Sequence, residues 1–181
     1  MRALAALCLV IMLGGCGLRP LYGGGGNGRV AQALKGVAVA PIPGRAGWLV
    51  RNSLEERLGS DGGSSAPYRL EVELDDRVEG FGTRADNTIT RERRTLRARY
   101  RLVDAALGTV LLDATAGSDA GVNVVSSEYA TVAAEQTALE RLAKEVADQI
   151  VARVALYAAR TGVAPASNGP PSGTPASGTT P

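Results

Sequence analysis

Three stretches of the chain alternate between apolar and polar residues, and this pattern restricts the fold more than any other feature. In residues 68–75, 95–102 and 109–116, every second residue is apolar. Because successive side chains of a β-strand point to opposite faces, this period predicts three strands with one buried face. A polar, glycine-containing loop is predicted over residues 81–87, and a turn over 106–108. Consecutive strands with short connections favour an antiparallel meander.

Two further elements are predicted before these strands. Val37, Val39 and Ile42 predict a short first strand, which ends where prolines remove backbone donors. Over residues 44–58, apolar residues recur at every fourth position, and this spacing predicts a helix with one buried stripe. The glycine- and serine-rich cluster that follows ends this helix.

A longer helix is predicted after the third alternating stretch. Ser126 or Ser127 is suited to cap its start, and the helix extends to Arg160. Its predicted apolar stripe consists of Tyr129, Val132, Leu139, Leu142, Val146, Ile150, Val154 and Tyr157. The order strand, helix, three strands, helix predicts a two-layer α+β domain over residues 36–160. In it, two helices pack on one face of a four-stranded, mainly antiparallel sheet.

The N-terminal segment has the order of features of a lipoprotein signal peptide. Arg2 is followed by an apolar run over residues 3–13, which is too short to span a bilayer as a stable helix. The run ends in Leu-Gly-Gly-Cys, which resembles a bacterial lipobox, so residues 1–15 are predicted to be removed and Cys16 to be lipidated. The residue after the cysteine is Gly17 and not aspartate. By resemblance to Gram-negative lipoproteins, this favours targeting to the outer membrane over retention in the inner membrane. The alternative is an ordinary signal peptide, or an anchor helix, with a cysteine nearby by chance.

Two segments of low complexity flank the predicted domain. Residues 16–35 contain a glycine run and are predicted to be a flexible tether between the lipid and the domain. Residues 161–181 carry no charge and are rich in proline, glycine, serine and threonine. Such a composition buries too little apolar surface to offset the entropy of ordering, so a disordered tail is predicted.

Histidine and cysteine usage excludes several classes of chemistry. The chain has no histidine, and its two cysteines are Cys8 in the signal segment and Cys16. A histidine-dependent nucleophile or metal site is therefore excluded, and we expect neither catalytic residues nor a cofactor. Removing the signal removes Arg2 alone from 20 basic residues, which leaves 19 against 18 acidic residues. This near-neutral balance does not call for nucleic acid as a partner.

Five arginines share one face of the second alternating strand and form the candidate binding surface. They are Arg91, Arg93, Arg97, Arg99 and Arg101. The neighbouring strand offers Glu71, Glu73 and Asp75 on its polar face, so cross-strand ion pairs are one interpretation. Five arginines outnumber three acids, and Arg69 and Arg77 share the face of those acids, so a net-positive face remains. Guanidinium groups suit phosphate and carboxylate geometry. Binding of a phosphorylated lipid is therefore one interpretation of this face, and a solvated or protein-facing polar surface is the other.

Several short motifs follow the lipobox. Arg-Pro-Leu-Tyr comes directly after Cys16-Gly17-Leu18 within residues 15–23, and further motifs lie at residues 49–54, 100–104 and 127–130. Together they resemble the lipopolysaccharide (LPS)-assembly lipoproteins of the LptE family, with Leu18 in place of the aromatic residue usual in the proteobacterial branch. The resemblance covers the chain from Cys16 to about Tyr157.

The resemblance implies a non-enzymatic, periplasm-facing lipoprotein anchored in the outer membrane. It would plug a large outer-membrane β-barrel, help it to assemble, and aid delivery of LPS to the cell surface, with the barrel as partner and LPS as a further ligand. One alternative is an auxiliary lipoprotein of another, ABC-type lipid-transport complex. A periplasmic hydrolase is disfavoured because the chain has no Gly-x-Ser-x-Gly motif and no histidine.

Overall fold

Four strands form one mixed sheet in the order β1-β2-β3-β4, as seen in a computed structural model that describes residues 29–59, 66–83, 89–125 and 127–161. The strands are β1 (Val37–Val39), β2 (Tyr68–Thr83), β3 (Ile89–Asp104) and β4 (Val110–Asn123). β1 pairs in parallel with the start of β2, while β2–β3 and β3–β4 are antiparallel. The predicted α+β class and the antiparallel meander are therefore confirmed.

The strands are longer than the alternating stretches that predict them. β2 and β3 each have 16 residues, and their ladder runs without a break from Tyr68 paired with Asp104 to Phe81 paired with Arg91. The predicted loop over residues 81–87 begins too early, because Phe81–Thr83 belong to β2. In the described residues, β2 is exposed on both faces from Asp75 onward, so burial no longer imposes an apolar period there.

Three helices complete the fold of the described residues: α1 (Arg29–Lys35), α2 (Gly44–Leu58) and α3 (Glu128–Thr161). α2 and α3 pack side by side on one face of the sheet, as predicted, with α3 lying over β3 and β4. No described helix is both long enough and apolar enough to cross a membrane. The side chains that are less than 2% exposed include Tyr100, Leu54, Leu70, Leu96, Leu142 and Ile150.

Helix α1 is not predicted by the sequence pattern. It occupies the last seven residues of the segment predicted to be a flexible tether, residues 16–35. Ala33 and Leu34 are only 4% and 3% exposed, and the helix packs against α3. Because a seven-residue helix is too short to be stable alone, tertiary packing supplies its stability. The prediction of a flexible tether over residues 16–35 is therefore wrong for residues 29–35.

Helix α2 has the predicted bounds, and local chemistry sets both of its ends. Pro43 precedes the first helical residue, and Gly59 follows the last with a φ of 62°. This left-handed conformation lets the Gly59 N–H donate to the Glu55 carbonyl at 3.0 Å. Near the same end, Arg57 donates to the Asp148 carboxylate of α3 and to the Ser53 carbonyl, so it joins the two helices.

Helix α3 begins after Ser127, whose hydroxyl accepts the N–H of Ala130 at 3.4 Å, as expected of an N-cap. Most of its predicted stripe is buried, but the first two members are not: Tyr129 is 84% exposed and Val132 is 43% exposed. Thr131 takes the inward position instead, and its hydroxyl accepts the N–H of Val125 at 3.3 Å. The prediction was wrong in this turn because a hydrogen-bonded hydroxyl replaces an apolar contact.

Candidate functional site

The structure places the five candidate arginines on the outer face of β3, which is the face turned away from the helices. Arg91, Arg93, Arg97 and Arg99 are exposed, and Arg101 is partly exposed. They alternate with Leu96, Ala98, Tyr100 and Leu102, which are buried beneath the helices. The pleat of the strand therefore separates a core face from a charged face.

Both neighbouring strands contribute carboxylates to this outer face. By strand register, the face carries Arg69, Arg77, Arg91, Arg93, Arg97, Arg99 and Arg101 together with Glu71, Glu73, Asp75, Glu79, Asp113 and Asp119. The predicted positive surplus is therefore reduced to one charge, seven arginines against six carboxylates. The additional acids, Glu79, Asp113 and Asp119, come from the distal half of β2 and from β4. The outer face is close to neutral and densely charged.

Three of the five arginines are engaged in ion pairs. Arg99 binds the Asp113 carboxylate through two nitrogens at 3.2 and 2.8 Å. Arg101 lies 3.3 Å from Glu71 and 3.6 Å from Glu73. Arg93 lies 3.9 Å from Asp119, and its guanidinium sits 5.3 Å from the centre of the Phe81 ring. Because these pairs are exposed to solvent, each contributes little to stability.

Pairing shifts the pKa values of both Arg99 and Asp113. The hydrogen bond from Arg99, followed by its positive charge, lowers the pKa of Asp113. The same hydrogen bond and the charge of Asp113 raise the pKa of Arg99. This pair therefore stays ionised across the physiological range and holds one part of the face in a defined geometry.

Arg91 and Arg97 have no carboxylate within 4 Å among the described residues. Arg97 borders a groove of about 510 Å³ on the sheet. The groove is lined by Glu73, Leu74, Asp75, Arg97, Ala98, Arg99, Thr115, Ala116, Gly117 and Gln149. Gly117 keeps the groove open beside Arg97, because a β-carbon there would lie 3.3 Å from the Arg97 Cγ. The groove thus offers a guanidinium whose donors are available to an incoming anion or carbonyl group.

A second charged cluster lies on the opposite face, where β2 and β3 meet the start of α3. Arg94 binds the Asp76 carboxylate at 2.9 and 2.6 Å and donates to the Glu135 carbonyl at 3.3 Å. Beside it, the Glu92 Oε2 is buried and has no hydrogen-bond partner among the described residues. Burial and the adjoining Glu135 carboxylate raise the pKa of Glu92 above its ordinary value of 4.5.

The raised pKa of Glu92 predicts a pH-dependent contribution to stability. Ionised Glu92 is disfavoured in the folded state, so the free energy of unfolding falls as pH rises from 4.5 through the raised folded value. We expect Glu92→Gln to stabilise the protein by about 1 kcal/mol at pH 8 and to have little effect at pH 4. Urea unfolding at the two pH values measures this, with the exposed Glu140 changed to Gln as the control. An equal effect of the two substitutions at pH 8 would contradict the prediction.

The described residues contain no cluster of three or more His, Cys, Asp or Glu side chains that is able to hold a metal ion. Cys16, the predicted lipidation site, lies outside the described residues, as does the predicted tail beyond Thr161. The outer sheet face presents charged and hydrogen-bonding side chains to solvent, and sequence parity located its arginines correctly. It missed the matching acids because neither the distal half of β2 nor β4 was aligned with β3.

Comparison with known proteins agrees with this architecture. The family model described as LptE, lipopolysaccharide-assembly, matches residues 34–154. A candidate lipoprotein of Caulobacter crescentus CB15 is similar in structure, with a TM-score of 0.63 and 28% identity. The alignment covers 73% of this chain and 96% of the other. No protein with a curated description matches the sequence.

Two further solved structures share the fold at lower identity. A minor lipoprotein of Acinetobacter baumannii has a TM-score of 0.55 and 14% identity over 66% of this chain and 90% of its own. The rare lipoprotein B of Shewanella oneidensis has a TM-score of 0.54 and 9% identity over 70% and 96% of the two chains. At these identities the likeness concerns the fold alone.

Proposed function

Since the chain belongs to the LptE family of lipopolysaccharide assembly, we propose that it is a non-enzymatic, lipid-anchored partner of the outer-membrane β-barrel that exports LPS. In this role the domain plugs the barrel, helps it to assemble and aids the delivery of LPS to the cell surface. The lipid on Cys16 holds the chain at the outer membrane, and the domain faces the periplasm or the barrel lumen.

The observation that carries this proposal is the extent of the family match. Residues 34–154 include all four strands, the whole of α2 and most of α3. The match therefore spans the complete sheet and the helices that cover it, rather than a short motif. The outer sheet face lies within the matched residues, so the family's role is expected to use this domain.

The chemistry of the outer sheet face also supports a role inside a polar enclosure. Large outer-membrane barrels have polar interiors, and a plug must offer polar groups without carrying a large uncompensated charge. The outer face meets both conditions, because its arginines and carboxylates are nearly equal in number and many of them are paired. Arg91 and Arg97 keep donors available for a polar wall or for the phosphate groups of LPS.

Charge reversal at Arg91 and Arg97 tests the proposal. We expect the Arg91→Glu, Arg97→Glu double variant to bring down about a hundredfold less barrel, or lower still, from detergent-solubilised outer membranes. The reason is that each lost charge-assisted hydrogen bond weakens binding by roughly 1.5–3 kcal/mol. The Arg45→Glu, Arg160→Glu double variant is the control, since it makes the same charge change at exposed positions of α2 and α3. Circular dichroism checks that every variant is folded.

Two outcomes would contradict the proposal. If the wild-type lipidated chain never co-purifies with a large outer-membrane β-barrel, and its depletion leaves surface LPS unchanged, the plug role is wrong. Co-purification with an inner-membrane transporter would instead favour the auxiliary lipoprotein of another lipid-transport complex. If the barrel co-purifies equally with all variants, the partner role stands but the outer face does not carry it.

A further inference from the structure

The free edge of β4 is the feature from which a further inference follows. β4 is the last strand of the sheet and has 14 residues. The Val124 N–H donates to the Thr90 carbonyl, so even-numbered residues of this segment direct their peptide groups toward β3. Odd-numbered residues from Asp113 to Asn123 therefore direct theirs outward. An exposed row of backbone donors and acceptors of this length is a template for pairing with another strand.

The side chain of Gln149 occupies the centre of this edge. Its Oε1 accepts the N–H of Gly117 at 3.2 Å, and its Nε2 donates to the Gly117 carbonyl at 3.2 Å. One amide group thus satisfies both outward-facing backbone groups of one residue, in the way that a residue of an adjacent antiparallel strand would. The other outward-facing peptide groups between Asp113 and Asn123 have no partner among the described residues.

The edge is self-complementary when a second copy is aligned on Gly117. In an antiparallel pair with a twofold axis at this residue, each Gly117 would exchange its N–H and carbonyl with the other Gly117. On the outer face, Thr115 would lie opposite Asp119 and Asp113 opposite Gly121, so no like charges meet. A register centred on Ala116 would instead place Asp113 opposite Asp119, which is unfavourable.

The side chains on the helix-facing side of β4 are also compatible with pairing in this register. It places Ala116 opposite Ser118 and Ala114 opposite Ala120, and these small side chains require no rearrangement. Gly117 has no side chain at the twofold axis on the outer face. Gly117, whose N–H and carbonyl are bonded to Gln149, is therefore the residue on which this pairing would be centred.

We propose that the β4 edge is a homodimerisation surface and that the Gln149 amide keeps it closed by standing in for the second copy. In the closed state the chain is monomeric, and release of Gln149 opens a continuous edge for antiparallel pairing between two chains. This inference concerns β4 and Gln149 and does not rest on the barrel partner. It also explains why a polar side chain of α3 reaches around the sheet to the one glycine at the centre of the edge.

The test is the oligomeric state of the full-length chain in detergent, measured by sedimentation velocity over a range of concentrations. We expect the wild type to be monomeric and Gln149→Ala to dimerise with an affinity at least about tenfold higher. The reason is that two backbone groups lose the partner that competes with the second copy. Gln136→Ala is the matched control, because Gln136 is an exposed glutamine of the same helix, and it should stay monomeric.

A second variant tests the register. Adding Thr115→Asp to Gln149→Ala places a carboxylate opposite Asp119 of the other copy twice per dimer, so the double variant should return to the monomer. Circular dichroism confirms folding, and Thr115 is exposed and therefore tolerant of the change. The proposal is overturned if the wild type dimerises as strongly as Gln149→Ala, if Gln149→Ala stays monomeric, or if Thr115→Asp leaves the dimer intact.

Discussion

Replacing Leu142 with alanine is expected to lower the free energy of unfolding by about 2–5 kcal/mol. Leu142 lies in the middle of α3 and is 0% exposed, in a core shared with buried side chains of α2 and the sheet. Truncation removes the transfer energy of the side chain and leaves a cavity that rigid neighbours cannot fill. Since domains of this size are stable by about 5–15 kcal/mol, this single change removes a large share of the total.

Urea denaturation followed by circular dichroism measures this effect. Leu156→Ala is the matched control, because it makes the same chemical change in the same helix at a side chain that is 39% exposed. We expect the control to cost about 1 kcal/mol or less. If the two variants lose equal stability, the face of α3 that packs on the sheet has been wrongly assigned.

Replacing Gly47 with alanine is expected to destabilise the protein by about 1–3 kcal/mol. Glycine to alanine inside a helix ordinarily stabilises by roughly 1 kcal/mol, so the expected sign is reversed here. A β-carbon at Gly47 would lie 2.5 Å from the carbonyl oxygen and 2.7 Å from the carbonyl carbon of Ile42. These are backbone atoms in a segment flanked by Pro41 and Pro43, so they cannot move aside without displacing the junction of β1 and α2.

Gly121→Ala is the control for this substitution. A β-carbon at Gly121 meets nothing within 4 Å, so alanine is accommodated there. We expect the control to keep the wild-type unfolding midpoint within the range of surface substitutions, about 0.5 kcal/mol. A Gly47→Ala protein as stable as the wild type would mean that α2 does not pack against the Ile42 backbone as closely as described.

Hydrophobic periodicity was sufficient to identify the layers of this fold. The alternation in residues 68–75 and 95–102 placed Leu70, Leu96 and Tyr100 on the buried face, and the structure confirms all three. Helix α2 was predicted with its observed bounds, since a proline before it and a glycine after it act through local backbone geometry. The arginine face followed from strand parity, because the alternation of side chains along one strand is also a local property of the backbone. These features depend on residues close together in the chain.

Other features depended on contacts between distant segments, which only the tertiary structure reveals. Helix α1 forms because α3 buries Ala33 and Leu34, and its seven residues carry too weak a pattern to predict it. The outer face is nearly neutral because the register of β2 and β4 brings Glu79, Asp113 and Asp119 beside the arginines. The contact of Gln149 with Gly117 likewise joins residues 32 positions apart. A periodic pattern specifies which face of an element is buried, whereas register and packing decide what that face meets.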